Sequence, residues 1–230
     1  MYEIQTDVVI VGGGPAGLSA AVAAKKEGAE KVLIIERDEK LGGILQQCIH
    51  PGFGLTYFHK ELTGPEYAGH FKEEALALGA EVLLNSMVLE VIPEESAVIC
   101  VNSEYGMTKV KAGSIVLAMG CRERTRAGIM IPETEEFIPC DTLLLSVGLI
   151  PENELSRGAD VKISRITNGP EVNQYMQTSW DNVFACGNVV HVNDLVDNVT
   201  VESMNAGASA ARYAMHKLPE ANREVPSVTG

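Results

Sequence analysis

The chain has 230 residues, with 18 Lys+Arg against 31 Asp+Glu and a formal net charge of −13. That balance argues against nucleic acid, whose phosphates need a basic face, and a 46% apolar content excludes intrinsic disorder. Five Cys in so long a chain do not make a disulfide scaffold, and no apolar run approaches the roughly 20 residues that span a bilayer. Glu3 and the lack of a basic n-region do not read as a signal peptide, so a cytoplasmic α/β protein is expected.

Asp7–Val11 is a largely apolar run that ends in Gly12-Gly13-Gly14-Pro15-Ala16-Gly17. An Ala-rich stretch from Leu18 to about Lys26 predicts a helix with Gly28 at its C-cap. Lys31–Glu36 then predicts a second buried strand, which completes a strand–turn–helix–strand unit. From Leu41 to Gly69 the chain is rich in Gly, His and aromatics without a clean period, and such long connections are usually functional. Phe71–Leu78 reads as a helix and Ala80–Leu84 as a short strand. Val88–Ile92, Ala97–Val101 and an edge at Lys109–Val110 predict a small antiparallel meander. Ser114–Gly120 is a separate buried-strand run, and Arg122–Glu136 reads as a connection. Thr142–Val147 predicts another buried strand and Asn182–Asn188 a short one that stops at Gly. Val201–Leu218 predicts a helix closed by Pro219, and Glu220–Gly230 a frayed tail.

Gly12-x-Gly14-x-x-Gly17 lies between a strand and a helix, the context a dinucleotide fingerprint requires. Gly12 permits the tight turn, Gly14 lets a pyrophosphate approach the backbone, and Gly17 lets helix and strand pack closely. The helix N-terminus offers free N–H groups and a positive dipole end to the diphosphate. Glu36 closes the second strand 19 residues after Gly17, where a carboxylate can accept the ribose hydroxyls of an adenosine.

Gly12–Gly17 followed by Leu18-Ser19-Ala20-Ala21 resembles the FAD fingerprint of the pyridine nucleotide-disulfide oxidoreductase superfamily, flavoproteins with two dinucleotide domains. Leu41-Gly42-Gly43-Ile44-Leu45 resembles the family's loop beside the ribityl chain and isoalloxazine. Ile115–Gly120 resembles the strand whose Ala-x-Gly end returns to the FAD phosphates, and Asn182–Asn188 the strand whose Gly-Asp end touches the ribityl chain. Gly42–Tyr67 and Asp141–Asn153 resemble one subgroup in particular, the FAD/NAD-dependent dehydrogenases found beside bacterial anaerobic glycerol-3-phosphate dehydrogenases. These stretches are similar also to the flavin subunits of opine and amine-type amino-acid dehydrogenases. The resemblance implies a Rossmann-like domain with a central parallel sheet, a helix layer and a small antiparallel meander. It implies an FAD-dependent oxidoreductase, with FAD held by Gly12, Gly13, Gly14, Pro15, Ala16, Gly17, Glu36, Arg37, Gly42, Gly43, Ile44, Gln47, Val88, Ala118, Met119, Gly120, Gly187 and Asn188. The helix beginning near Val199 would aim its N-terminus at the flavin, where its dipole favours the reduced anion by roughly 0.3–1 kcal/mol.

Three departures from the family carry weight. No CxxC or CxxxxC occurs, and a dithiol relay needs two sulfurs within about 2 Å, so disulfide reduction is not expected. Cys100, Cys121, Cys140 and Cys186 read as buried core thiols on or beside apolar strands. Relatives insert an NAD(P)H domain with its own fingerprint after the position of Arg126, but here only the 14 residues 127–140 lie there. One FAD domain is therefore expected in two halves, 1–128 and 133–230, joined near Ile131–Thr134 by natural loss or excision of the insert. Asn188 replaces the family's Asp, and its side-chain oxygen can still meet a ribityl hydroxyl.

The catalytic candidates are Cys48, His50 and His191, with Gln46 and Gln47 also on the substrate side. For both His residues the blander reading is a loop imidazole bonded to backbone or solvent. Asp194 and Asp197 read as capping or solvated residues, and Phe53, Tyr57 and Phe58 as packing residues rather than a substrate channel. No Cys/His spacing suggests a metal. The alternative functions are a non-catalytic flavin or electron-transfer subunit serving a partner chain, and an NAD dehydrogenase with NAD in the first fingerprint. The substrate or electron acceptor is an unknown small molecule.

Overall fold

A computed structural model describes residues 1–123, 133, 136–142, 144 and 148–221. Its strands are β1 (Tyr2–Val11), β2 (Val32–Ile35), β3 (Pro51–Phe53), β4 (Leu62–Thr63), β5 (Glu81–Leu83), β6 (Ser86–Ile92), β7 (Ala97–Asn102), β8 (Gly106–Leu117), β9 (Cys121–Glu123), β10 (Leu149–Pro151) and β11 (Val183–Ala185). Its helices are α1 (Pro15–Glu27), α2 (Gly64–Ala77), α3 (Glu154–Gly158) and α4 (Val196–Ala214). No helix among the described residues is long and apolar enough to cross a membrane.

The main sheet runs β5-β2-β1-β8-β7-β6, with β11 also paired to β8. β8 changes partner along its length within this one sheet. Its first half pairs antiparallel with β7, from Asn102↔Gly106 to Ala97↔Lys111. Its second half pairs parallel with β11, from Val183↔Ile115 to Ala185↔Leu117. The parallel core is therefore β5-β2-β1-β8-β11, and the meander β6-β7-β8 grows from the same long strand. Lys109–Val110 and Ser114–Leu117 are thus one strand rather than two. Gly113 lies within it, and a Cβ there would sit 2.8 Å from Ala214 Cβ and 2.9 Å from the Asp7 carbonyl oxygen.

Val8–Val11 of β1, all of β2 and Ile115–Leu117 of β8 are apolar on both faces, as strands covered on both sides must be. α1 packs against these strands and against α2 and α4. The α1–α4 crossing is built from Ala20, Ala21 and Ala24 on one helix and Ala206, Gly207, Ala210 and Ala211 on the other, all buried. Tyr67, Phe71, Phe184, Ile10, Leu18 and Ile115 are the bulk of the core, each worth about 1.5–3 kcal/mol on burial.

Four sequence expectations need correction. α2 begins at Gly64, seven residues before Phe71, because Thr63 and Glu66 form a reciprocal capping box with Pro65 in the first turn. α4 spans Val196–Ala214 rather than Val201–Leu218, stopping before Pro219. Arg122 and Glu123 are not loop but part of β9, which pairs antiparallel with β10. Within 142–147, residues 143 and 145–147 lie outside the described set, and Leu144 is 91% exposed rather than in a buried strand. Most of the 122–136 connection, the 131–134 join except Glu133, and the tail from 222 onward also fall outside the described residues.

Candidate functional site

Register assembles the site. Val11 lies beside Ile35 on one flank and Leu117 on the other, and Leu117 lies beside Ala185. The residues that follow these parallel strands, Gly12, Glu36, Ala118 and Cys186-Gly187, therefore emerge along one edge. Carboxyl ends of parallel strands are where open α/β sheets bind ligands.

The fingerprint turn fits that edge tightly. Gly12 has φ +107°, its N–H donates to the Ile35 carbonyl at 2.9 Å, and a Cβ there would sit 2.5 Å from the Ala118 carbonyl oxygen. At Gly17 a Cβ would overlap the Gly12 carbonyl oxygen. Both positions are thus reserved for glycine by the chain's own backbone. Gly14 differs, because a Cβ there would meet no protein atom within 4 Å. It caps α1 without a side-chain hydrogen bond, Pro15 follows at the first helical position, and the first turn carries no acid. The helix therefore presents open N–H groups to an unfilled approach, as an anion site requires.

Glu36 is only 6% exposed. Its Oε2 accepts the Gly13 N–H at 2.7 Å and its Oε1 accepts the Asp38 N–H at 2.9 Å, so the acid is fixed beside the turn. The start of β6 closes the same corner, since Ser86 N–H donates to the Glu36 carbonyl and Asn85 N–H to the Asp38 carbonyl. Half-buried Val88 lies two residues further along this strand, and Arg37 is exposed just past Glu36. The Gly-Gly loop stacks on the fingerprint: Gly42 N–H donates to the Gly13 carbonyl at 2.8 Å, and a Cβ on Gly43 would sit 3.1 Å from Gly14 Cα. Ile44 and Gln47 ride on the short turn 43–47, both exposed.

The return strands close the other side. Ala118 N–H donates to the Val11 carbonyl at 2.9 Å, half-buried Met119 follows, and Gly120 faces open space. A Cβ on Gly187 would sit 2.7 Å from Ala16 Cβ, so the turn after β11 presses on the first turn of α1. Asn188 Oδ1 accepts the Asn193 N–H at 2.9 Å and its Nδ2 donates to Cys121 Sγ at 3.6 Å. The side-chain oxygen expected to meet a ribityl hydroxyl thus also holds the chain's own turn.

The catalytic candidates scatter. Cys48 Sγ donates to the Ile44 carbonyl at 3.5 Å. His50 Nδ1 lies 3.0 Å from the Pro51 carbonyl oxygen, and its ring tilts on Phe53 at 5.2 Å between centroids. His50 and Phe53 line a cleft of about 220 Å³ against Asp194–Asp197, whereas Tyr57 and Phe58 pack with Phe71. Asp197 is neither cap nor solvated: it is buried, and its Oδ2 accepts the Thr56 N–H at 2.8 Å, tying the loop to α4. Cys100 and Cys186 are core thiols as expected, with Cys186 pushed up to about 12 by burial, but Cys140 is exposed and Cys121 only half-buried.

Sequence reasoning missed Glu202 and Ser203. Glu202 Oε1 accepts the Gly187 N–H at 2.7 Å, and its Oε2 lies 3.7 Å from His191 Nε2. Burial, opposed by the Gly187 N–H and His191, holds this carboxyl above its usual range. Ser203 is fully buried, and its Oγ has no hydrogen-bond partner among the described residues. Nothing in the sequence pairs these helix residues with a turn 15 positions earlier.

The chain is 33% identical over 125 residues to hydrogen cyanide synthase subunit HcnB of Pseudomonas protegens, a match covering 51% of this chain and 25% of that protein. It is 27% identical over 214 residues to the 5,5'-dehydrodivanillate O-demethylase ferredoxin reductase subunit of Sphingobium, covering 91% of this chain and 40% of that one. It thus spans less than half the length of these curated relatives. A thioredoxin reductase from Gloeobacter violaceus has the same fold, with a TM-score of 0.70 at 18% identity over 94% of this chain and 98% of that one. The pyridine nucleotide-disulphide oxidoreductase family model matches in two segments, residues 6–130 and 125–211. With the Rossmann-like architecture and the glycine turn already on the sheet edge, this chain belongs to the pyridine nucleotide-disulphide oxidoreductase family.

Proposed function

We propose that this chain is the FAD-binding domain of a flavin-dependent oxidoreductase of the kind found beside anaerobic glycerol-3-phosphate dehydrogenases. The observation that carries the reading is the open Gly14 at an uncapped helix N-terminus, with Glu36 and the Gly42–Gly43 loop fixed around it. The residues present fit FAD: α1 offers N–H groups to a diphosphate, Glu36 has lone pairs for ribose hydroxyls, and residues 118–120 and 187–188 flank the approach. The bound flavin would supply the hydride and electron chemistry, while the protein orients it and sets its electrostatics.

The domain is read as two halves, 1–128 and 133–230, joined where relatives carry a nicotinamide domain. In support, β9 and β10 form a short ladder across that neck, with Arg122 Nε 3.0 Å from Glu152 Oε2. No second fingerprint occurs in this sequence, and on this reading the domain holds no nicotinamide site of its own. The test is spectroscopic. The purified protein, or apoprotein reconstituted with FAD, should show the visible flavin bands, and a protein that takes up no FAD overturns the cofactor reading. Stoichiometric NADH under anaerobic conditions should bleach those bands slowly or not at all; rapid bleaching overturns the lack of a nicotinamide site.

A second reading, an electron-transfer subunit serving a partner chain, is favoured by the names of two relatives, both subunits of larger enzymes. Flavin reduction that requires a copurifying partner would select it.

A further inference from the structure

Glu202 is a largely but not fully buried carboxyl that no part of the nucleotide reading uses. It projects from the second turn of α4 with its side chain 16% exposed, and it takes up the Gly187 N–H. Gly187 in turn presses on Ala16, in the first turn of α1, where the open helix donors lie. A carboxylate therefore sits behind the turn that borders the anion site. On its outer side is His191, 43% exposed, with Nε2 3.7 Å from Glu202 Oε2.

The surroundings isolate this pair. Cys186, at the end of β11, is the other titratable group facing Glu202 among the described residues, and burial keeps its thiol protonated. The first turns of α1 (15–24), the ends of β1 (8–11) and β8 (114–117), and β11 itself carry no ionisable side chain. Asp197, on the same helix, is turned to the Thr56 and Tyr57 N–H groups.

We propose that Glu202 and His191 form a proton-linked positioning pair, in which binding of an anionic dinucleotide diphosphate at the first turn of α1 draws proton from solvent onto the pair. The inference rests on the cofactor reading above. Its physical basis is that two anions cannot share one low-dielectric corner at full charge without cost, and protonation removes one of them. Half-exposed His191, with Nε2 3.7 Å from Glu202 Oε2, gives the proton its route from solvent. Glu202 already stands above the usual carboxylate range through burial, so a nearby diphosphate moves it further in the same direction. The sign follows: the bound state has the higher pKa, so affinity is greatest below the pKa of the free pair. It is lost as pH rises through the pKa of the bound pair.

The experiment is calorimetric titration of FAD into apoprotein, in buffers of different ionisation heat, from roughly pH 5.5 to 8. Wild type should bind FAD about tenfold more tightly at the acidic end and take up at most about half a proton near the middle of that transition. The variant Glu202→Gln/His191→Asn should take up none and show a flat pH profile, with Gln still able to accept the Gly187 N–H. Equal proton uptake by variant and wild type, or none by wild type, overturns the proposal. If wild type binds no FAD at any pH, the cofactor reading itself fails, and this inference with it.

Discussion

The two sides of the site are built in opposite ways. On the fingerprint side, Gly12 to Glu36 is one uninterrupted stretch whose geometry follows from local spacing: strand, turn, helix, strand, acid. On the return side, the 186–191 turn is held by a helix that begins later in the chain, through Glu202 on Gly187 and Gly187 on Ala16. The first side is short-range and stiff. The second exists only because α4 lies across α1 with small residues between them. A site can thus have one wall coded by spacing and another coded by packing.

The largest effects should come from the glycines on which each wall depends. A Cβ at Gly17 would overlap the Gly12 carbonyl oxygen, and one at Gly207 would overlap the Ala20 backbone at the α1–α4 crossing. Gly17→Val and Gly207→Val should each cost about 3 kcal/mol or more, since backbone cannot yield as a side chain can. Thermal denaturation checks this. If Gly207→Val alone leaves the melting temperature unchanged, the return wall does not depend on the crossing.

Gly14→Val sharpens the contrast. A Cβ there meets no protein atom within 4 Å, so the fold should survive, with a loss of up to about 1 kcal/mol from the poorer helix cap. FAD content should nevertheless fall to near zero, read as the flavin absorbance per protein. A folded variant with undiminished FAD would remove the fingerprint from the binding site.

The smallest expected effect tests a strut behind the return wall. Tyr67 on α2 is buried, with its hydroxyl 2.7 Å from Thr200 Oγ1 on α4. Tyr67→Phe should cost about 1 kcal/mol in a denaturant titration, the net worth of one buried hydrogen bond. A loss several times larger would show that α4 is held mainly by this bond rather than by its alanine face.

Legibility in the sequence follows the same division. The β1–α1–β2 unit, Gly28 at its C-cap and the acid at Glu36 were all readable, because apolar periodicity and glycine spacing act within a few residues. The start of α2 was readable too, had Thr63-x-x-Glu66 and Pro65 been weighed as a capping box rather than absorbed into a long connection. The unity of β8 is not legible because its first half alternates polar and apolar residues while its second is an apolar run, and Gly113 between them lies close to Ala214. Asp197 was misread because an acid near a helix start normally caps or faces water, and nothing local shows the Thr56 loop folding onto it.

By itself the sequence determined the parallel core strands, the fingerprint turn and the acid beside it, since these follow from steric and hydrogen-bond rules over short stretches of chain. Only the tertiary structure decided that β8 would pair antiparallel with β7 and then parallel with β11, that His50 and Cys48 would turn to nearby carbonyls, and that Glu202 and His191 would meet behind Gly187. Those outcomes depend on how whole elements pack, and packing couples residues far apart in sequence by shape and desolvation rather than by spacing.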